Sequence, residues 1–429
     1  IDEDGLLTIT GEGDYELDDE KHTAWHQYHG AVKNIKVQVT GITSTNNMFA
    51  YCSGVTDIDL SGLDTSSVTD MWGMFLSCTN LETLDVSGFN TSNVTDMWDM
   101  FRDCKNLETL DVSGFDTSNV TDMWGMFSDC TNLQTLDVSG FDTSNVTDMR
   151  AMFSGCTNLQ TLDISGFDTS NVTRMGSMFS GCTNLQTLDV GGFDTSNVTD
   201  MWDMFCECMN LQTLDVSGFN TSNVTDMGAM FQGCTSLGTL DVSSFDTSNV
   251  TNMREMFDGC TSLGMLDVSG FDTSNVTDMS CMFYCCTSLE MLDVSGFNTS
   301  NRPNMGGMFI ACIALKKIIT PPNMFEISLP EVTGYYWLDE NNTQCTYTTA
   351  GLSTSMTVTP MATTRGCSSP TTMRTASTPS VRRATSARKT ASASTSSMPI
   401  IMARWENWAL TSTWMAFSTT PRRRIARLN

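Results

Sequence analysis

The apolar positions of this chain repeat on two short rhythms. Leu107, Leu110, Val112 and Phe115 follow an L-x-x-L-x-V-x-x-F pattern. Leu110 and Val112 alternate with Asp111 and Ser113, the period of two that predicts a short strand. Val120, Met123, Met126, Phe127 and Cys130 then fall at helical spacing, which predicts one short helix or helical turn. Asn119 stands where a helix cap would stand, with Asp122 three residues on as its capping-box partner. Gly114 occupies the strand exit, where positive φ or close packing would favour glycine, although Ser244 fills that slot once.

These rhythms sit inside one long period. Cys52, Cys78, Cys104, Cys130, Cys156, Cys182, Cys208, Cys234, Cys260, Cys286 and Cys312 are all 26 residues apart, and a Met-Phe pair precedes each in phase. A fixed period of this length marks a solenoid in which each repeat is one coil. The predicted fold is therefore α/β, a leucine-rich-repeat-like solenoid with one short parallel strand and one short helix or helical turn per coil. Leu, Leu, Val, Phe, Val, Met, Met, Phe and Cys would point inward, buried by neighbouring coils. With strands roughly 4.8 Å apart, ten coils would make a sheet about 50 Å long.

The unit L-x-x-L-D-V-S-G-F-D-T-S-N-V-T-D-M-x-x-M-F-x-x-C resembles the BspA-like leucine-rich repeat family of bacterial surface proteins. The resemblance covers about residues 48–318, and the whole 26-residue unit carries it. The lead-in "LTITGEGDYELDD" with "WHQYHGAVKNIKV" looks like that family's N-terminal flank, and "GYYWLDENNTQCTY" resembles a flank seen after its arrays. The resemblance implies adhesion through contact with host or bacterial surfaces.

Charge divides the chain. The formal net charge is −27 over 429 residues. Residues 1–349 hold 48 acidic and 11 basic side chains, a net of −37, whereas residues 350–429 hold Glu406 against 11 Lys or Arg, a net of +10. Such acidity argues against nucleic acid or an anionic membrane as partner, and no apolar run reaches the length of a membrane span. The chain opens on Ile1, so the natural start is expected upstream and the lack of an export signal carries no weight. The expected organisation is a cap over 1–47, a solenoid of ten to eleven coils over 48–318, and a second cap over 319–349. Residues 350–429 form a basic Ser/Thr/Arg-rich tail, expected to be disordered or the product of a frameshift. The array frays where Arg302-Pro303 replaces Val-Thr.

Candidate chemistry is sparse. The cysteine spacing lacks the close pairs of zinc sites, so the ladder reads as small core residues. Disulfides between coils would need Cα atoms within about 6 Å, and an odd number argues against complete pairing. Cys206, Cys281 and Cys285 fall outside the ladder and are expected to be more exposed. Asp85, Asp111, Asp137, Asp163, Asp189, Asp215, Asp241 and Asp267, with Asp59 and Asp293 at the ends, should form one outward row. Asp70, Asp96, Asp122, Asp148, Asp200, Asp226 and Asp278 form another, broken by Arg174 and Asn252. Neighbouring hydroxyls can offset the repulsion; calcium bridging between coils is the alternative.

One register varies from coil to coil. It holds Trp72, Trp98, Trp124, Arg150, Gly176, Trp202, Gly228, Arg254 and Ser280. A slot so variable is not a core slot, and Trp72, Trp98, Trp124, Arg150, Trp202 and Arg254 are the candidate ligand-binding residues. The alternative is that each Trp lies over its own coil and shields Met. His22, His26 and His29, the only histidines, would share one helix face, but nothing else supports a metal there. The Asn-Val-Thr triplets match a glycosylation sequon yet suit turns and caps. The repeats contain no His to serve as a base, and paired carboxylates recur in every coil rather than once in a cleft. No catalytic or metal residue and no firm cofactor is expected.

The function these readings support is a bacterial surface-displayed or secreted monomer that binds an extracellular protein or glycan. Its rivals are a stalk that binds nothing, favoured by the near-identity of the coils, and a targeting module of a larger enzyme.

Overall fold

The computed structural model describes residues 1–15, 17, 23–321, 324, 329–330, 335–339, 344–345 and 355–360. They fall within one compact unit, Ile1–Thr363. It is a solenoid of stacked parallel coils. β1 (Leu6–Glu12), β2 (Asn34–Thr40) and β3 (Asp57–Leu63) open it as a parallel sheet in that order. Alternation in β2 buries Ile35, Val37 and Val39 and leaves the residues between them exposed, as a half-buried strand requires.

In the coil of residues 105–130, Leu107, Leu110, Val112, Phe115, Val120, Met123, Met126, Phe127 and Cys130 are all buried. One column of phenylalanines threads the array. Phe101, Phe127, Phe153 and Phe179 stack at 5.7–5.8 Å between centroids, with planes within 8°. A 26-residue period places each ring on its counterpart, so a single side chain cannot shift without its neighbours.

The predicted helix is replaced by turns. The only helix among the described residues is one 3-10 turn, His26–Tyr28. In residues 97–104 alternate N–H groups point along the solenoid to the next coil. Met97 donates to the Asp122 carbonyl (3.1 Å), Asp99 to Trp124 (2.8 Å), Phe101 to Met126 (2.9 Å) and Asp103 to Ser128 (2.7 Å). Between them, Met100 donates to the Met97 carbonyl, Arg102 to Asp99 and Cys104 to Phe101, closing three successive turns. Asp99 and Asp103 have φ of 53° and 63°, and the same two slots are left-handed in every coil from Asn47 and Tyr51 to Gly307 and Ala311. An α-helix spends its N–H groups on its own carbonyls and does not tolerate a left-handed residue at every fourth position. Three consecutive turns bring every third or fourth side chain inward, which imitates helical spacing.

The caps proposed for that helix do other work. Asn119 Nδ2 donates to the Ser92 carbonyl of the preceding coil (2.8 Å), and Asp122 Oδ1 accepts the Trp124 N–H (2.9 Å). The Leu-Asp-Val strand is paired in only some coils: β4 (Thr109–Leu110) with β5 (Thr135–Leu136), β6 (Met291–Asp293) with β7 (Lys317–Ile319), and a single bridge between Thr187 and Thr213. Parallel bridges run instead through the second acid row, from Ser44–Asp70 to Asp278–Asn304. Nor does Gly114 have positive φ, and a Cβ there would meet nothing. Ser244 in the same slot is therefore unstrained.

Beyond the array, β8 (Tyr335–Asp339), β9 (Gln344–Cys345) and β10 (Ser355–Pro360) join β6 and β7 in the order β6-β7-β10-β8-β9. β10 runs antiparallel to β7 and β8 and lies past residue 349, the boundary read from charge. His22 and most of the basic tail lie outside the described residues.

Candidate binding surface

Stacking consumes most polar groups of the repeat before any ligand can. Thr91 is 1% exposed; its hydroxyl donates to the Asp116 carbonyl of the next coil (3.0 Å) and accepts the Asp116 N–H (2.7 Å). The same threonine bonds forward in each coil, for example Thr117 to Asp142 and Thr169 to Asp194. Sequence reasoning missed this tenth inward position because it is polar.

The cysteine ladder is reduced and structural. From Cys78 to Cys312 each thiol donates to the phenylalanine carbonyl 29 residues earlier, as Cys130 does to Phe101 (3.1 Å). Burial pushes Cys182 and Cys234 up to about 12, so their thiolates are not formed at neutral pH. Cys281 and Cys285 are half-buried as expected, but Cys206 is buried. Its register also holds Gln232, whose Oε1 lies 3.5 Å from the Cys206 thiol.

The outward aspartates form the expected exposed row, and each carboxylate turns back on its own coil. Asp111 Oδ1 accepts the N–H (3.0 Å) and hydroxyl (2.6 Å) of Ser113, and Asp85, Asp137 and Asp163 repeat this with Ser87, Ser139 and Ser165. Asp189, Asp215, Asp241 and Asp267 accept the N–H two residues on. The serine bonds hold Asp85, Asp111, Asp137, Asp163, Asp215, Asp241 and Asp267 below the ordinary carboxylate range. Among the described residues no group of three His, Cys, Asp or Glu could hold a metal ion. His26 and His29 have rings 4.8 Å apart, and His29 Nδ1 contacts the His26 carbonyl.

The register of Trp72 is one of those in which the coils differ; that of Leu76, Arg102, Ser128, Cys206, Gln232 and Tyr284 is another. Trp72, Trp98 and Trp124 stack on one another at 5.1 and 4.8 Å, the second pair within 6° of parallel. Arg150 closes the column, its guanidinium 4.4 Å from the Trp124 centroid. Asp148 holds that guanidinium with Nε at 2.9 and 3.1 Å and Nη2 at 2.7 Å, and Arg174 Nη1 reaches the same carboxylate at 3.3 Å. The faces of Trp98 are thus covered by Trp72 and Trp124, leaving ring edges on a half-buried ridge. Trp202 stands apart, 48% exposed, between Gly176 and Gly228. Arg254 is exposed and pairs with Glu255 (2.7 Å).

Beside this ridge Asp96 and Asp203 are half-buried and Asp99 is buried, and desolvation raises Asp96 and Asp99 to about 6 and Asp203 to about 7. Asp99 Oδ1 is buried without a hydrogen-bond partner and packs on Gly125 of the next coil.

The structure is similar to a leucine-rich repeat protein from Eubacterium ventriosum over 62% of this chain and 93% of that one, at 18% identity and a TM-score of 0.25. It is also similar to the functional domain of InlJ from Listeria monocytogenes, described as including a cysteine ladder, over 78% and 77% of the two chains, at 14% identity and a TM-score of 0.27. No curated protein sequence matches the chain. No helix among the described residues is long and apolar enough to cross a membrane. The family described as "Mycoplasma protein of unknown function, DUF285" matches residues 43–136, 122–238 and 203–321, well over half of the chain. The chain belongs to this BspA-like family of bacterial repeat proteins.

Proposed function

We propose that the protein is a surface-displayed or secreted scaffold that binds an extracellular protein or glycan, as a monomer, through the variable register rather than through chemistry. One observation carries the reading. Hydroxyls, amides and thiols that recur in every coil are spent on coil-to-coil bonds, whereas Trp72, Trp98, Trp124, Arg150, Trp202 and Arg254 differ between coils and reach the surface. Aromatic and arginine side chains on a rigid support are what interfaces enrich. The segments 1–47 and 319–349 serve as caps, because an open end coil would expose a hydrophobic edge. The stalk remains a second reading, favoured by the near-identity of most positions of the coil.

The test is binding of the full chain to a panel of extracellular matrix proteins and glycans at physiological salt. Saturable binding, weakened when Trp72, Trp98 and Trp124 become Ala or when Trp202 becomes Ala, supports the scaffold. Absence of saturable binding across the panel overturns it in favour of the stalk.

A further inference from the structure

Two stretches of the array are related by a shift of three coils, 78 residues, and differ where it matters. The first contains Trp124, Asp148, Arg150 and Arg174; the second has Trp202, Asp226, Gly228 and Asn252 at the same positions. In the first, the guanidinium of Arg150 lies over the Trp124 face at 4.4 Å and is forked onto Asp148, which Arg174 also reaches. In the second, the tryptophan and the aspartate are kept and both arginines are gone. Gly228 places no side chain over Trp202; the edge of the indole packs close to that glycine with Asn252 Nδ2 beside it, and Trp202 as a residue is 48% exposed. Asp226 Oδ1 accepts the Gly228 N–H (2.9 Å) and Asn252 Nδ2 (2.9 Å), both neutral donors, and its Oδ2 has no partner among the described residues.

We infer that Trp202 and Asp226 form an open seat for an arginine side chain presented by a protein ligand. The inference rests on the scaffold reading and names the partner chemistry at one point of it. The chain supplies its own precedent, because Arg150 on Trp124 and Asp148 is the occupied version of the same seat. A guanidinium fits both halves at once: it stacks flat on an indole face and offers a fork that matches a carboxylate. Asp200 lies in the same coil as Trp202, its Oδ1 accepting the Trp202 N–H (3.0 Å). A neutral sugar would use the ring face but would leave the carboxylate's charge unanswered.

The experiment follows the indole N–H resonances of the full chain, with the Trp202 signal assigned by its loss in Trp202→Ala. Probes are N-acetyl-arginine methylamide, the citrulline analogue of the same shape without charge, and a methyl glucoside. The expected result is a saturable shift of Trp202 with the arginine probe, about tenfold weaker with citrulline. Asp226→Asn should weaken it about tenfold, and Gly228→Arg should remove it by filling the seat from within. Arg150→Gly together with Arg174→Asn, which reproduces the second stretch, should open the other seat, so that the Trp124 signal then responds too. An equal response to citrulline, a stronger response to the glucoside, or no response overturns the inference. The two readings fail separately. A panel ligand that binds while the arginine probe fails keeps the scaffold and removes the seat. A response of Trp202 to arginine with an empty panel keeps the seat and removes the scaffold.

Discussion

Thr91→Val tests whether the solenoid is held by polar ladders as well as by its apolar core. Valine matches threonine in shape and is more apolar, so a purely hydrophobic account expects it to be neutral or stabilising at a site 1% exposed. The hydroxyl, however, donates to the Asp116 carbonyl at 3.0 Å and accepts the Asp116 N–H at 2.7 Å. Removing it leaves both backbone groups unanswered at a coil-to-coil contact. With about 1 kcal/mol net per hydrogen bond, and more for a buried group left unpaired, Thr91→Val should cost about 2 kcal/mol. Thr91→Ser keeps both bonds and loses one buried methyl, worth about 1 kcal/mol. The expected order of stability is therefore wild type, then Ser, then Val, the reverse of the hydrophobic order for the variants. Urea unfolding gives the ranking. Because a repeat array can open locally, amide exchange at Asp116 gives the direct reading, with protection lost in Val and kept in Ser. A valine variant as stable as wild type, with the Asp116 amide still protected, would refute the reasoning.

Gly125→Ala should destabilise by about 2 kcal/mol, since Gly125 has φ +62° and an added Cβ would fall on Asp99 Oδ1. Adding Asp99→Ala should recover part of that loss in urea midpoints, and no recovery would mean that backbone strain alone is responsible. The buried and half-buried carboxylates predict a pH dependence with a definite sign. Burial raises Asp96, Asp99 and Asp258 to about 6 and Asp203 to about 7, against about 3.9 in an unfolded chain. Between those limits the folded state holds more protons, so their contribution is fully present below the unfolded value and is lost as pH rises through 6 to 7. The midpoint should fall from pH 5 to pH 7.5, less steeply in an Asp99→Asn, Asp203→Asn double variant, and a midpoint that rises over this range would refute the assignment.

Most of the core was legible in the sequence, because a strict period leaves no doubt about which residues share an environment. The inward set Leu107, Leu110, Val112, Phe115, Val120, Met123, Met126, Phe127 and Cys130 is buried as the pattern requires. Secondary structure was not legible to the same degree. Spacing at Met123, Met126, Phe127 and Cys130 is shared by a helix and by successive turns, and periodicity alone does not separate them. A signal did exist in the two left-handed slots, where Gly125, Asp99, Asp129, Gly155 and Gly181 are types that tolerate positive φ. Thr91 and its counterparts were missed because a polar side chain was counted as outward. At the candidate surface the register of Trp72, Trp98 and Trp124 was visible, but not that neighbouring rings cover each other's faces. That depends on the coil-to-coil rise, which no sequence spacing carries.

In a solenoid of near-identical coils, each departure from the repeat is a local event with a neighbour one coil away, and the neighbour indicates what the departure is for. Some departures are coupled. Asp99 lies on Gly125, and Arg150 lies on Trp124 and is held by Asp148. The second is internally satisfied, and in both, changing one member exposes or crowds the other. Trp202 packs only its ring edge against Gly228, and no ring or cation among the described residues covers it. Burying a large indole is favourable by a few kcal/mol, and the chain demonstrates at Trp124 how its own residues could do so. Leaving Trp202 open beside Asp226 is therefore the arrangement least explained by stability, and a bound partner would complete it.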